Sequence, residues 1–186
     1  MKIINLLISN YFSKMRGGKS VSNPVNFSEI FWSWIGAFIA IGAVSYTCYN
    51  IIDNTDKMML IGSFGASSVL LFAVTDSPLA QPRNVFGGFV ISALIGVTAY
   101  KFCPFDLWCA SAVAVSTSIA VMQLTKMLHP PGGATALIAV IGSDDIHNLG
   151  YSYAVIPVGL GAFILLSVAL VINNIPKKRS YPKYWV

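Results

Sequence analysis

The stretch His129-Pro130-Pro131-Gly132-Gly133-Ala134-Thr135 interrupts a long apolar region and decides where the chain divides into helices. Two consecutive prolines end one helix and suit the first turn of the next, because they fix φ and donate no N–H group. About a dozen helix-compatible residues follow them, which span roughly 18 Å at a rise of about 1.5 Å per residue. The sequence therefore predicts a short helix that starts at the prolines.

The rest of the chain has the composition of an integral membrane protein. Of its 186 residues, 55% are hydrophobic and 10% are charged, and the mean hydropathy is +0.69. Soluble domains carry roughly 25% charged residues, so this composition excludes a soluble enzyme domain, a disordered chain and a disulfide scaffold. The net charge of +5 comes mostly from basic residues near the two ends, which indicates membrane topology and no nucleic-acid partner.

Six long uncharged runs predict an all-α polytopic protein with about six segments in the lipid bilayer. The runs are residues 30–52, 58–75, 84–100, 107–125, 127–143 and 146–176. Four of them are long enough to cross a hydrocarbon core of about 30 Å. The second and fifth are short half-helices, broken by Gly62 and Gly65 in one case and by the two prolines in the other. Whether the short segments cross or turn back stays open.

The basic residues predict that both ends of the chain lie in the cytoplasm, whether the short segments cross or turn back. The prediction divides the chain into an N-terminal cytoplasmic segment, 1–28, a transmembrane domain, 29–176, and a basic and aromatic cytoplasmic tail, 177–186. The N-terminal segment is either an amphipathic helix on the membrane surface or a frayed polar terminus. The tail resembles an interfacial anchor.

The six segments also group as two triplets, each with a long, a short and another long segment. Three segments per triplet would make the second triplet inverted relative to the first, and such repeats place binding sites near the membrane midplane. The alternative is six helices that alternate in length by chance. A stripe of small residues at Gly88, Ser92 and Gly96 predicts close helix packing, within one chain or between chains.

The two short segments contain most of the candidate substrate-binding residues. A helix that starts after Pro131 would present free N–H groups and the positive end of its dipole, which together bind small anions. A helix start at Gly62 would do the same from the first triplet, so that two N-termini face each other. The alternative is a tight turn without a ligand. The candidates from the two segments are Gly62, Ser63, Gly65, Ser67, Ser68, His129, Gly132, Gly133 and Thr135.

Three candidates have a second interpretation each. His129 either contacts the ligand or relays a proton, or it caps the preceding helix. Arg83 and Asn84 follow a stiff proline-containing run, where they either line an entrance that attracts an anion or simply obey the positive-inside rule. The sequence contains no credible nucleophile–base pair and no convergent metal ligands, so we expect no enzyme activity, no metal and no cofactor.

Several motifs in the same order resemble the HPP family of integral membrane proteins. They are HPPGGATALIAV at 129–140, GSFGASSVLLF at 62–72, SPLAQPRNVFGG at 77–88, and Asn173-Asn174 with YPKYW at 181–185. The resemblance covers about residues 28–186 and implies transport, because members in cyanobacteria and chloroplasts are associated with nitrite movement. It implies a multi-pass protein of the bacterial inner membrane that transports a small inorganic anion, with nitrite the first candidate.

A function of another class remains open. The same motifs would serve helix packing in a non-transporting membrane scaffold, sensor or accessory subunit. A chain with so few helices is also a candidate homo-oligomer, because enclosing a polar path takes many helices.

Overall fold

The computed structural model describes residues 26–51, 56–104 and 106–185, and within them the fold is all-helical as predicted. The helices are α1 Phe27–Ile51, α2 Asp56–Ala73, α3 Pro82–Phe102, α4 Leu107–Leu124, α5 Pro130–Ile141, α6 Asp144–Leu149 and α7 Leu160–Ile172. A 3₁₀ turn precedes α3, and 3₁₀ and π turns join α6 to α7 into one segment. The N-terminal segment predicted for 1–28 lies, up to residue 25, outside the described residues.

Four segments are long and apolar enough to cross a membrane, and two apolar helices are shorter. The long segments are Phe27–Asn50, Pro82–Phe102, Leu107–Leu124 and Asp144–Ile172, and the shorter helices are Leu60–Ala73 and Pro130–Ile141. This division confirms the predicted architecture of four long and two short segments. Many large apolar side chains of α1 are exposed, as lipid-facing side chains are.

The two short segments, α2 and the link 125–129 followed by α5, cross the bundle in opposite directions. The end of α2 lies beside the start of α1, where the Ser33 hydroxyl donates to the Phe72 carbonyl at 2.6 Å. After α5 ends, the Ser143 N–H donates to Asp56 at the start of α2, 3.0 Å away. The short segments therefore cross the bundle rather than turn back. The opposed directions are those that inverted repeats require, and the repeat itself stays a prediction.

The link between α4 and α5 carries the start of α5 into the bundle. At its beginning, Arg83 in the first turn of α3 donates to the Thr125 carbonyl at 3.2 Å. At its end, His129 lies against Gly88, where an added Cβ would be 2.5 Å from the His129 Cβ. Five residues separate Arg83 from Gly88, which is about 8 Å along a helix. The short helix α5 therefore starts inside the bundle, about 8 Å along α3 from the first turn of that helix.

The stripe of small residues on α3 packs against α5 of the same chain. A Cβ added at Gly96 would lie 2.5 Å from the Ala136 carbonyl oxygen. A Cβ added at Gly132 would lie 2.7 Å from the Ser92 hydroxyl and 2.8 Å from the Gly88 carbonyl oxygen. The two backbones therefore touch, as small residues allow in membrane helices. Of the two packing modes open from the sequence, the structure shows the one within the chain.

The predicted helix start at Gly62 is wrong, because α2 begins at Asp56 and continues without a break to Ala73. A glycine inside a helix costs only about 1 kcal/mol relative to alanine, so Gly62 and Gly65 do not stop the ladder of backbone hydrogen bonds. A Cβ added at either glycine would meet nothing within 4 Å among the described residues.

The C-terminal tail folds back onto the transmembrane domain. The Tyr181 hydroxyl donates to the Ala80 carbonyl at 2.6 Å, and burial raises the pKa of this phenol, so it remains a protonated donor. Arg179 forms an ion pair with Glu29 at 2.5 Å and donates to the Phe72 carbonyl at 3.3 Å. The tail thus ties together the start of α1, the end of α2 and the loop before α3.

We expect Gly96→Ala to lower the free energy of unfolding by about 1–3 kcal/mol, because its methyl group would force α3 away from the backbone of α5. Gly42→Ala on α1 is the matched control. It has open space around the added Cβ and should be neutral or slightly stabilising. Thermal unfolding of the purified variants in detergent measures both, and equal melting temperatures would contradict the close contact.

Candidate functional site

The antiparallel helices α2 and α5 meet at a buried group of polar side chains, which we call the α2–α5 cluster. Its members are Ser63, Ser67, His129 and Thr135, each no more than 2% exposed. On α2 the two serines are four residues apart and so share one face of the helix. On α5 the histidine precedes the first turn, and the threonine lies six residues further along, nearly two turns.

Two hydroxyl groups of the cluster share one carbonyl acceptor. The Ser63 hydroxyl donates to the Pro131 carbonyl at 2.9 Å and lies 3.0 Å from the Thr135 hydroxyl. The Thr135 hydroxyl points at the same Pro131 oxygen from 3.4 Å. Each hydroxyl has one hydrogen to donate. Two donors therefore converge on one point between the helices.

His129 bridges α2 and the loop before α3. Its Nδ1 lies 2.9 Å from the Leu79 carbonyl oxygen, and its Nε2 lies 2.6 Å from the Ser67 hydroxyl. A carbonyl oxygen only accepts, so Nδ1 carries the hydrogen and Nε2 accepts from Ser67 in the neutral ring. The side chain does not cap α4, whose end lies at Thr125.

The imidazole of His129 can bind a second proton without losing its partners. The cationic ring would donate from both nitrogen atoms, and the Ser67 hydroxyl can rotate to accept. The Leu79 carbonyl accepts in either state. The hydrogen bonds of the ring suit either protonation state, but its contacts are a hydroxyl and a carbonyl rather than a carboxylate, so the proton relay stays a prediction.

The expectation of free N–H groups at two facing helix N-termini is wrong. At the start of α5, Pro130 and Pro131 have no N–H, and the Gly132 N–H donates to the His129 carbonyl at 2.9 Å. At the start of α2 lies Asp56, about two turns before Ser63, which contacts Pro131, so the two helix starts do not face each other. The donors that converge between the short helices are consequently hydroxyl groups and an imidazole, not backbone amides.

Arg83 and Asn84 hold the link before α5 and do not reach the cluster. The Arg83 guanidinium donates to the Thr125 carbonyl, and the Asn84 amide donates to the Leu128 carbonyl at 3.0 Å. Both side chains satisfy carbonyl groups near the end of a helix, which is a common role of such residues. Their contribution to the site is to position His129.

The remaining candidates lie outside the cluster. Gly62 and Gly65 lie on α2 with open space at the Cβ position, and the Ser68 hydroxyl donates to the Gly65 carbonyl of its own helix. Gly132 packs against α3, whereas an added Cβ at Gly133 would meet only the Val115 side chain, at 3.8 Å. Ser63, Ser67, His129 and Thr135 are thus the candidates that the fold brings together.

The sequence analysis missed Tyr153, which extends the cluster toward α7. This tyrosine is fully buried, and its hydroxyl donates to the Thr135 carbonyl at 3.2 Å. The available signal was the Tyr151-Ser152-Tyr153 run at the start of an apolar segment, since a buried hydroxyl needs a partner. The segment alone does not indicate which helix supplies that partner.

A groove of about 620 Å³ lies between α1 and α2, lined by Ser68 and Arg179, but its arginine has no free donor. A guanidinium has five N–H groups, and here they reach the Glu29, Ser33, Phe72 and Asn173 oxygen atoms. Within the described residues, no group of three or more His, Cys, Asp and Glu side chains is arranged to hold a metal ion. The α2–α5 cluster is therefore the stronger candidate site.

The fold defines a polytopic helical membrane protein with a closed polar cluster between two short, antiparallel helices. The family model for the HPP transmembrane region matches residues 22–182 of this chain. The chain belongs to the HPP family, which confirms the resemblance seen in its motifs.

Two transmembrane proteins of Dictyostelium discoideum are similar to the chain along almost its whole length. One is 43% identical over 189 residues and the other 39% identical over 191 residues, each match covering 98% of this chain. The chain spans 65% and 61% of the length of these relatives. No solved structure matches the chain.

We expect His129→Ala to lower the free energy of unfolding by about 2–4 kcal/mol, because it leaves a cavity and deprives Ser67 and Leu79 of their partner. His129→Gln keeps an amide donor and acceptor and should cost less. Replacement of the half-buried His147, which stacks on Tyr100, is the control and should cost about 1 kcal/mol or less. Chemical unfolding in detergent gives all three values, and equal losses for the two histidines would contradict the bridge.

Proposed function

We propose that this protein transports a small inorganic anion across a membrane, with nitrite the first candidate, and that the anion binds at the α2–α5 cluster. The observation that supports the proposal is the pair of buried hydroxyl groups, Ser63 and Thr135, which converge on one point between the short helices. Polar groups inside a membrane domain are costly to bury, and they commonly mark a substrate path.

In the proposed complex the anion replaces the Pro131 carbonyl as the acceptor for both hydroxyl groups. Nitrite has two oxygen atoms, so it can accept from Ser63 and Thr135, which lie 3.0 Å apart. The four side chains of the cluster include no carboxylate, and hydroxyl groups can turn their hydrogens toward negative charge. These neutral donors favour an anion without the cost of burying a cationic side chain.

The cluster is buried, so the proposed transport requires the two short helices to separate. A Cβ at Gly36 of α1 would clash with the Phe72 ring of α2, which makes α1 and α2 a closely packed pair. The helices α3 and α5 form a second closely packed pair, because a Cβ at Gly96 or Gly132 would clash with the backbone of the other helix. We therefore propose that the α1–α2 pair moves against the α3–α5 pair and exposes the cluster alternately to each side.

We further propose that the described ends of the chain face the cytoplasm. Asn26 precedes α1 and the tail follows α7, and the Arg179–Glu29 ion pair places both on one side of the bundle. The positive-inside rule assigns that side to the cytoplasm. The bacterial inner membrane stays a prediction, and the relatives from Dictyostelium place similar transmembrane regions in a eukaryote.

A non-transporting scaffold, sensor or accessory subunit is the second candidate, and one observation favours it. Each side chain of the cluster already has a hydrogen-bond partner within the protein, as in a network that only stabilises helix packing. Neither candidate involves covalent chemistry on a substrate. A transporter exchanges anions on its own after purification, whereas a scaffold does not.

The first test of transport is exchange of labelled nitrite in liposomes that contain only this protein. We expect saturable exchange, and we expect Ser63→Ala to reduce its rate roughly tenfold to a hundredfold, because a hydrogen bond to a charged group contributes about 1.5–3 kcal/mol. Thr135 can still donate to Pro131 in that variant, so the fold should persist.

The matched control is Ser116→Ala on α4, which removes an exposed hydroxyl bonded within its own helix and should leave exchange unchanged. Protein-free liposomes measure leakage of nitrous acid through the lipid. Exchange of neither nitrite nor nitrate nor formate nor chloride by well-folded protein would favour the scaffold. Equal rates for Ser63→Ala and the wild type would remove the cluster from the anion path.

The topology is tested by single cysteines in a variant without native cysteines. Ser180→Cys in the exposed tail should react with an impermeant thiol reagent only after the cytoplasmic side is opened. Asp106→Cys in the exposed loop before α4 should react from the opposite side. Labelling of both positions from one side would contradict the fold, and the reverse pattern would contradict the assigned orientation.

A further inference from the structure

We propose that the C-terminal tail is a strap that holds the proposed anion path closed on the side of the membrane where both described ends of the chain lie. This inference rests on the proposed function and deepens it, because it names the contact that must break before the α2–α5 cluster opens to that side. The strap consists of residues 179–185, which follow α7 and contact both halves of the bundle.

One end of the strap is anchored to the helix pair α1–α2. The Arg179 guanidinium forms an ion pair with Glu29 at the start of α1, and it donates to the Phe72 carbonyl near the end of α2 at 3.3 Å. The arginine side chain is only 6% exposed. Separating a largely buried charged group from its partners is costly, so this end of the strap stays with α1 and α2 when the helix pairs move.

The other end of the strap is anchored to the loop before α3. The Tyr181 hydroxyl donates to the Ala80 carbonyl at 2.6 Å. The Lys183 N–H donates to the side-chain oxygen of the buried Gln81 at 2.8 Å. The backbone carbonyl of Gln81 in turn accepts from the Val85 N–H in the first turn of α3. The strap therefore bridges the two helix pairs that the proposed transport moves apart.

The loop that the strap contacts also reaches the α2–α5 cluster. The carbonyl oxygen of Leu79, next to Ala80 in the chain, lies 2.9 Å from His129 Nδ1. His129 Nε2 lies 2.6 Å from the Ser67 hydroxyl on α2. The two helix pairs are thus joined twice at this end of the bundle, by Ser67 with His129 and by Tyr181 with Ala80. Opening the cluster to this side breaks both contacts.

The chain connection between the helix pairs does not replace the strap. The loop 74–81 joins α2 to α3, and an extended chain of this length reaches roughly 25 Å. The loop can therefore lengthen when the helix pairs separate. The hydrogen bond from Tyr181 to Ala80 cannot lengthen in this way and must break.

The experiment measures access to the cluster from each side of the membrane. Ser67→Cys, in a variant without native cysteines, places a thiol in the cluster. An impermeant thiol reagent is applied to membrane vesicles of either orientation, and Ser180→Cys in the exposed tail identifies the tail side. We expect Tyr181→Phe to speed labelling from the tail side roughly twofold to tenfold, because one hydrogen bond that opposes opening is lost. Labelling from the opposite side should not rise.

The matched control is Tyr184→Phe, which removes the hydroxyl of an exposed tyrosine in the same tail and should leave labelling from both sides unchanged. Labelling of Tyr181→Phe that is no faster than that of the parent protein would overturn the strap. An equal increase from both sides would overturn it as well, because that result indicates general loosening of the fold.

A second variant acts at the other end of the strap. Arg179→Lys keeps the positive charge but lacks the fork of N–H groups that reaches α1 and α2 together. It should also speed labelling from the tail side alone. Labelling that is unchanged, or faster from both sides, would contradict the anchor at α1 and α2 and with it the strap.

The labelling requires no anion, so it is independent of the proposed substrate. Exchange of labelled nitrite by the wild type is measured separately in liposomes. Absence of exchange together with one-sided labelling would overturn the proposed function and leave the strap in place. Exchange together with equal labelling of Tyr181→Phe and its parent would overturn the strap alone.

Discussion

The close approach of α3 and α5 is the contact on which the rest of the structure depends. Gly88 and Gly96 on α3 and Gly132 on α5 leave no room for a Cβ, so the two backbones lie against each other. The helix α5 has 12 residues and is too short to span a hydrocarbon core of about 30 Å. Its contact with α3 holds the polar start of α5 inside the bundle. His129 is thereby placed inside the bundle, within reach of α2 and of the loop before α3.

A buried polar cluster in a membrane domain must satisfy its hydrogen bonds from within the protein, because lipid offers no partners. Here the solution combines two hydroxyl groups that share one carbonyl with an imidazole that is satisfied at both nitrogen atoms. Hydroxyl groups and imidazoles can exchange the donor and acceptor roles. The same property that closes the cluster in this conformation would let it accommodate an anion or a proton in another.

Local sequence patterns predicted the structure least well where backbone geometry or long-range contacts determine where a helix begins and which donors are free. Two glycines in α2 suggested a break, but a helix tolerates single glycines when the hydrogen-bond ladder continues on both sides. The start of α5 suggested an anion site with free amides from Gly132 onward, but a 3₁₀-type bond occupies the Gly132 N–H. The helix start that was to face it lies at Asp56 and not at Gly62. The donors at the candidate site are therefore side-chain hydroxyl and imidazole groups and not backbone amides.

The sequence by itself determined the membrane character of the chain, its four long and two short segments and the two stretches that hold the candidate site, because charge and hydropathy are properties of local sequence. Only the tertiary structure decided which polar groups meet. Ser67 and His129 are 62 residues apart, Asp56 and Ser143 87, and Glu29 and Arg179 150. Such pairs depend on which faces of the helices pack together, and that choice is made by the fit of many side chains and backbones at once, which no single stretch of the sequence contains.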